Sequence, residues 1–225
     1  MNLEKLNISK NSKVLFIYPH PDDETYFNAG LIQNLVKNNI TTRILCLTQG
    51  GASSLKEGIK DNELKYVRKK ELESVMKFLK VSNYDILDLE DGNLENENSI
   101  TEIIEKEINS FEPDVIITFE PNGIYGHKDH VVVSRIITDL NKSHKLNLIY
   151  STFPNMYKPS QKNLKLMEGF NGPIEPNVII KLNFKEIIVK FLCLKKYKSQ
   201  VSNKRLFQML FKPYIYEEYY VVKKD

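Results

Sequence analysis

Apolar runs of strand length alternate with segments of helical periodicity along most of the chain. The strand-like runs cover residues 13–18, 41–48, 84–89, 114–119 and 146–153. The helix-like segments between them cover residues 24–37, 63–79, 99–111 and 130–140. This alternation predicts a Rossmann-like α/β fold, a mostly parallel sheet with helices on both faces. Ligands of such sheets bind beyond the carboxyl ends of the strands, so functional residues are expected directly after strands.

The size of the chain predicts one domain covering residues 1–225. Hydrophobic residues make up 41% and charged residues 27%, ordinary values for a globular protein. Cys46 and Cys193 each lie in an apolar run, and we interpret both as buried free thiols. The C-terminal third is less regular, with a predicted loop at residues 154–176, a helix near 184–199 and a last strand near 215–222.

Charge and hydropathy exclude several classes of partner. The chain has 32 basic and 29 acidic side chains, and this small, dispersed excess does not predict nucleic-acid binding. Residues 1–13 lack the apolar core of a signal peptide. No segment approaches the roughly 20 apolar residues that a membrane span requires. We therefore expect a cytoplasmic protein without stable membrane insertion.

Histidines and carboxylates are concentrated in two short clusters, and each cluster follows a predicted strand. Residues 19–24 have the sequence PHPDDE, and residues 126–130 have the sequence GHKDH. Because the carboxyl ends of parallel strands meet at one edge of a sheet, we expect the two clusters to converge. Imidazole and carboxylate are suitable zinc donors, and three such ligands plus an open position make a catalytic site. The sequence therefore predicts a metal centre.

Two further features bear on this prediction. The adjacent carboxylates of Asp22 and Asp23 would repel each other and raise a pKa unless a cation lies beside them. The spacing of His127 and His130 places both rings on one face of a helix that begins there. Each cluster alone has an ordinary structural interpretation, as a turn with a helix cap or as a pair of surface histidines. Their occurrence together, after two strands, favours the metal site.

Both clusters resemble the (A/P)HPDDE and HxDH motifs of the PIG-L/LmbE-like deacetylases, which are zinc-dependent N-acetylglucosaminyl deacetylases. The resemblance extends from about residue 13 to residue 200. Shorter and individually weak matches support it: Thr48-Gln49-Gly50, Arg68-x-x-Glu71, Asp91-Gly92, Pro113-Asp114-Val115 and Ser199-Gln200. The resemblance implies an LmbE-like fold. It also implies hydrolysis of the N-acetyl group of an N-acetylglucosamine-type sugar or glycoside, a small-molecule partner.

The resemblance also implies the metal and the general base. His20, Asp23 and His130 would be the ligands of Zn²⁺. Fe²⁺ is an alternative in the cell, because a site of two imidazoles, one carboxylate and an open face accepts either ion. Asp22 would be the general base that deprotonates the metal-bound water, whose pKa zinc lowers toward about 7.

The remaining implied roles concern the oxyanion and the substrate. His127 would stabilise the oxyanion or protonate the leaving amine, with Asp129 orienting it. Tyr125 lies two residues before His127 and would add a hydrogen bond to the same oxyanion. Arg68 and Asp91 would contact substrate hydroxyls. For these two, a surface arginine and a turn aspartate are equally good interpretations.

Departures from the family pattern leave the substrate open. Gly51 stands where many relatives have Glu, and Tyr197 and Lys198 stand where the family often places a His before Ser-Gln. Both departures lie on the substrate side, so the sugar and its attached group are not determined. A metal-dependent hydrolase of another small amide or a phosphoester is the alternative. A non-catalytic binding protein is a third, which intact Asp22 and His127 disfavour. The resemblance leaves a homo-oligomer open.

Overall fold

The computed structural model describes residues 2–55, 58–154 and 172–223. The strands are β1 (Lys13–Tyr18), β2 (Thr41–Thr48), β3 (Tyr84–Leu89), β4 (Val115–Phe119), β5 (Asn147–Thr152), β6 (Val178–Lys181) and β7 (Glu217–Val222). The helices are α1 (Asp23–Lys37), α2 (Asp61–Leu79), α3 (Ile100–Phe111), the single turn α4 (Gly123–Gly126), α5 (Lys128–His144), α6 (Phe184–Leu194) and α7 (Asn203–Met209).

The strands form one seven-stranded sheet in the order β3-β2-β1-β4-β5-β7-β6. Strands β1 to β5 pair in parallel, whereas β7 runs antiparallel to both β5 and β6. The predicted Rossmann-like, mostly parallel fold is therefore confirmed. Strands β1 and β4 are direct neighbours, with Leu15 opposite Ile116. Their carboxyl ends, which precede the two clusters, consequently lie side by side.

Two hydrophobic clusters lie on opposite faces of the sheet, because successive side chains of a strand point to opposite faces. Phe16 of β1 belongs to the cluster that α1, α2 and α6 cover, and Leu15 belongs to the cluster that α3 and α5 cover. Helix α3 contributes a buried stripe at i, i+4 and i+8: Ile100, Ile104 and Ile108. Cys46 and Cys193 are buried free thiols, as predicted.

The structure differs from the sequence prediction mainly in the C-terminal third. Helix α6 ends at Leu194 rather than near residue 199, and β7 begins at Glu217. Strand β6 was not predicted, because it is a four-residue edge strand with alternating exposure. The seven-residue α7 was not predicted either. Most of the predicted loop at residues 154–176 lies outside the described residues. No helix in the described part of the chain combines the length and apolarity needed to cross a bilayer.

Candidate active site

The two clusters meet beyond the carboxyl ends of β1 and β4, where α1 and α5 begin. The ring centroids of His20 and His127 lie 4.8 Å apart, and those of His127 and His130 lie 4.7 Å apart. His20 and His127 border a cavity of about 590 Å³, whose lining includes Asp22, Asp23 and both predicted substrate contacts, Arg68 and Asp91. The structure thus brings all the sequence-predicted site residues to one region.

Three buried donor groups lie close enough together to bind one ion. Nδ1 of His20 lies 3.3 Å from Nε2 of His130 and 3.4 Å from Oδ2 of Asp23. Nε2 of His130 lies 3.6 Å from Oδ1 of Asp23. Ligand atoms bound to zinc at about 2.0–2.1 Å in tetrahedral geometry are roughly 3.3 Å apart. The two imidazole nitrogens have this separation, and the Asp23 carboxylate approaches each of them with a different oxygen. Imidazole and carboxylate are donors that suit zinc and also ferrous iron.

A third imidazole, that of His127, lies close to those of His20 and His130. Ligand atoms of His20, His127 and His130 all lie within 4.8 Å of one another. Nδ1 of His127, however, accepts a hydrogen bond from the backbone N–H of Asp129 at 3.2 Å. His127 is therefore the N-cap of α5, and the proton of its neutral ring lies on Nε2. We favour Asp23 over His127 as the third ligand, because Nδ1 of His127 is already engaged by that N–H and its Nε2 carries the proton.

The orientation of His20 is set by two carboxylates. Its Nε2 lies 3.0 Å from Oδ1 of Asp91 and 3.1 Å from Oδ2 of Asp129. The same oxygen of Asp129 accepts the backbone N–H of Gly92 at 2.7 Å. When Nε2–H donates to these carboxylates, Nδ1 is left free to bind a metal, which is the usual arrangement around histidine ligands.

This geometry corrects the predicted role of Asp129. We expected Asp129 to orient His127, but its carboxylate contacts His20, and only its backbone N–H contacts His127. The reason is helical geometry, because residues at i and i+2 do not face each other on a helix. Asp91 lines the cavity, and its second oxygen accepts the N–H of Ala52 at 2.8 Å. Its predicted contact with substrate hydroxyls stays a prediction.

Burial and charge act on the site histidines in opposite directions. Burial lowers the pKa of His20, but hydrogen bonds to three carboxylates outweigh burial and raise it well above the usual value. These carboxylates belong to Asp129, Asp23 and Asp91. Burial and the neighbouring charge on His20 lower the pKa of His127 to about 4. A cation held by His20 would act on His127 in the same direction as the charged ring.

Asp22 has an unusual backbone conformation, with φ +97° in the left-handed region. Such a conformation in a residue other than glycine costs about 1–3 kcal/mol and persists only where surrounding contacts hold it. Oδ1 of Asp22 lies 3.3 Å from Nη2 of Arg68. Burial raises the pKa of the Asp22 carboxyl to about 7, against the opposing charge of Arg68. A cation bound next to it would lower this pKa again.

Glu24, the last residue of PHPDDE, holds Asp22 in place. Oε2 of Glu24 accepts the backbone N–H of Asp22 at 3.1 Å. Its Oε1 accepts the hydroxyl of Tyr197 at 2.6 Å and the hydroxyl of Thr25 at 2.5 Å. The sequence had shown Tyr197 only as a departure from the family pattern. Its contact with Glu24, 173 positions away, has no sequence signal.

Arg68 is almost fully buried, with 4% of its surface exposed. Its Nη1 donates to the carbonyl of Gly50 at 3.0 Å, and its Nη2 donates to the carbonyl of Pro21 and pairs with Asp22. Most of its hydrogen-bonding capacity is thus used within the protein. It still borders the cavity, and its predicted contact with substrate hydroxyls stays a prediction.

Tyr125 lies in the strained turn between β4 and α5. The preceding Ile124 has φ +67°, and a side chain at Gly123 would place its Cβ 2.7 Å from Cγ2 of Val131. Glu120 holds the turn by accepting the backbone N–H of Ile124 at 2.5 Å. The Tyr125 ring borders the cavity next to His127. Its hydrogen bond to an oxyanion stays a prediction.

The outer part of the cavity comes from elements that the sequence did not predict as functional. Gln200 holds the segment after β2, because its amide donates to the carbonyl of Leu55 at 2.9 Å and accepts the hydroxyl of Ser53 at 2.8 Å. Arg205 of α7 and Tyr214 complete this side. The short match at Ser199-Gln200 was the one sequence signal for this region.

The family model described as PIG-L: GlcNAc-PI de-N-acetylase matches residues 15–141, which contain both clusters. A probable N-acetyl-alpha-D-glucosaminyl L-malate deacetylase 2 of Bacillus anthracis is 27% identical over 202 residues, covering 87% of this chain and 84% of the relative. The protein of the same name in Bacillus subtilis (strain 168) is 37% identical over 123 residues, about half of each chain (52% and 55%).

Among solved structures, the N,N'-diacetylchitobiose deacetylase from Pyrococcus horikoshii superimposes with a TM-score of 0.70 and 20% identity. The superposition covers 98% of this chain and 89% of that one. At this level of identity the likeness concerns the fold, and it confirms the LmbE-like architecture.

Proposed function

This chain belongs to the PIG-L family of N-acetyl-sugar deacetylases, and from that premise we propose that it is a zinc-dependent hydrolase of an N-acetylglucosamine-type glycoside. The observation that carries the proposal is the pair of His20 and His130, whose ring nitrogens lie 3.3 Å apart beside Asp22. One oxygen of Asp23 lies 3.4 Å from His20, and the other lies 3.6 Å from His130. The relatives are named as deacetylases of N-acetylglucosaminyl malate and of diacetylchitobiose, two N-acetylated amino sugars with different attached groups.

In this proposal, His20, Asp23 and His130 hold the ion at the inner end of the cavity. A zinc ion bound there supplies a Lewis acid that polarises the acetyl carbonyl and lowers the pKa of water toward about 7. Asp91 and Asp129 keep Nδ1 of His20 directed at the ion through their contacts with Nε2.

Asp22 moves the proton. A water molecule attacks the acetyl carbon, and its proton passes to the Asp22 carboxylate, which Arg68 holds in place. The resulting oxyanion accepts a hydrogen bond from Nε2–H of His127, with Tyr125 beside it. When the C–N bond breaks, the proton on Asp22 passes to the leaving nitrogen, and acetate and a free amine remain.

An acetate-release screen tests the proposed function. Zinc-loaded protein is incubated with N-acetylglucosaminyl malate, diacetylchitobiose and methyl N-acetylglucosaminide, and acetate is quantified. We expect release from at least one of these glycosides. No release from any of them, with either zinc or ferrous iron supplied, would contradict the proposal. The single domain spanning residues 1–225, the cytoplasmic location and homo-oligomerisation stay predictions.

A further inference from the structure

A second arginine borders the outer end of the cavity. Arg205 lies in the first turn of α7, and its side chain lines the cavity together with Tyr26 and Tyr214. Its Nη1 donates to the carbonyl of Gln200 at 3.2 Å. Within residues 2–55, 58–154 and 172–223, no carboxylate forms an ion pair with Arg205. Its remaining N–H donors are therefore available to a ligand.

The contrast with Arg68 shows that this availability is specific to the outer end. Arg68 lines the same cavity, but its guanidinium is buried against two backbone carbonyls and Asp22. Asp22, Asp23 and Asp91 border the inner end. A negatively charged group would be repelled from these carboxylates and attracted to Arg205.

Two phenol groups accompany Arg205. The rings of Tyr26 and Tyr214 lie 6.4 Å apart, and the Tyr214 ring packs 5.5 Å from that of Phe153. Neither hydroxyl has a hydrogen-bond partner in the part of the chain that the structure describes. Burial raises the pKa of both phenols, and the charge of Asp22 adds to the rise for Tyr26. The charge of Arg205 opposes the rise in both. The guanidinium and the two hydroxyls therefore border the same space.

We propose that Arg205, with the hydroxyls of Tyr26 and Tyr214, forms a subsite for an acidic group on the part of the substrate attached to the amino sugar. This inference rests on the proposed function and specifies its substrate class. A guanidinium matches the geometry of carboxylate and phosphate, and both accept its paired N–H donors. Arg205 is exposed at the mouth of the cavity, so it would hold the acidic group of the glycoside toward solvent.

The test compares three glycosides on zinc-loaded protein: N-acetylglucosaminyl malate, N-acetylglucosaminyl inositol phosphate and methyl N-acetylglucosaminide. Arg205→Gln should lower kcat/KM about 10- to 100-fold for the carboxylate or the phosphate glycoside, mainly through KM. The decrease in kcat/KM that Arg205→Gln causes on the neutral glycoside should be at least about ten-fold smaller than on the acidic one. Arg205→Lys should be intermediate, because lysine keeps the charge without the paired donors.

Further variants control for general effects of substitution. Tyr214→Phe should lower kcat/KM for the same acidic glycoside about 3- to 10-fold, the net effect of one typical hydrogen bond. Arg135→Gln, at an exposed position of α5 away from the cavity, is the matched control and should behave as wild type. The acidic glycoside that responds identifies the group as carboxylate or phosphate.

Two outcomes overturn the inference. Equal losses of kcat/KM on all three glycosides would show that Arg205 does not distinguish acidic from neutral substrates. No loss on either acidic glycoside would show that Arg205 does not bind the acidic group. If wild type releases no acetate from any of them, the proposed function fails instead. Calorimetric titration of the same glycosides then still tests the subsite. Arg205→Gln must weaken binding of an acidic glycoside about ten-fold or more, and equal affinity would overturn the inference.

Discussion

The inner and outer ends of the cavity differ in how their polar groups are used. At the inner end, the carboxylates of Asp22, Asp91 and Asp129 each contact a charged or ring group of the protein. At the outer end, Arg205 and the two phenols retain donors that no described residue uses. The first arrangement suits a fixed reaction, and the second suits the selection of a substrate. We infer that the reaction and the substrate are determined by separate parts of the chain.

The largest effect that would test this comparison comes from Asp22→Asn. Asparagine tolerates positive φ, so the substitution removes the charge and leaves the backbone at φ +97° undisturbed. Loss of a general base is expected to lower kcat about 10²- to 10⁴-fold, while the zinc content stays as in wild type. Acetate release and metal analysis measure the two quantities. A rate equal to that of wild type would show that Asp22 is not the general base.

Asp129→Asn distinguishes the corrected role of this residue from the predicted one. If its carboxylate orients His20, zinc affinity should fall about 10- to 100-fold. If it acted through His127, kcat would fall while zinc affinity stayed unchanged, and the correction would be wrong. Competition with a chelator measures the affinity. Asp139→Asn, at an exposed position of the same helix, is the matched control.

Tyr197→Phe tests whether the support beneath Asp22 matters for the rate. The variant removes the hydroxyl that donates to Glu24, and we expect unfolding free energy to fall by about 1–3 kcal/mol and kcat to fall about 3- to 10-fold. The control is Tyr150→Phe, which removes a hydroxyl paired with Thr138 at 2.7 Å on the other face of the sheet. It should lower stability without changing kcat. Equal kcat values in both variants would argue against a positioning role.

The smallest effect concerns the outer end. Gln200→Ala removes the hydrogen bonds to Ser53 and Leu55 that hold the segment after β2. We expect KM to rise about 3-fold with kcat nearly unchanged, because the inner end keeps its contacts. Steady-state kinetics with the best glycoside of the screen measures both. A fall in kcat with constant KM would show that the two ends are not separate.

The same division explains which parts of the site the sequence predicts. The inner end comes from two short clusters that follow adjacent strands, so a parallel sheet brings them together whatever the rest of the chain does. The outer end depends on contacts such as Ser199 with Glu71, where Oγ–H and the backbone N–H donate to one carboxylate across 128 positions. The residue pattern within one segment does not predict contacts between residues so far apart in the sequence.

The secondary structure was likewise predicted where its signal is local. Strands β2 and β3 begin and end at the predicted residues, because a continuous or alternating apolar run is a local signal. The edge strand β6 and the short helix α7 depend on their partners in the fold rather than on their own sequence. Arg205 at the outer end belongs to α7, an element of this second kind.

The central claim is that His20, Asp23 and His130 hold one catalytic ion. Metal analysis of the wild-type protein, after zinc supplementation, beside His130→Ala and His127→Ala tests it most directly. The account predicts about one zinc per chain in wild type and in His127→Ala, and a loss of at least about 100-fold in zinc affinity in His130→Ala. No zinc in the wild type, or full zinc affinity in His130→Ala with its loss in His127→Ala, would contradict it.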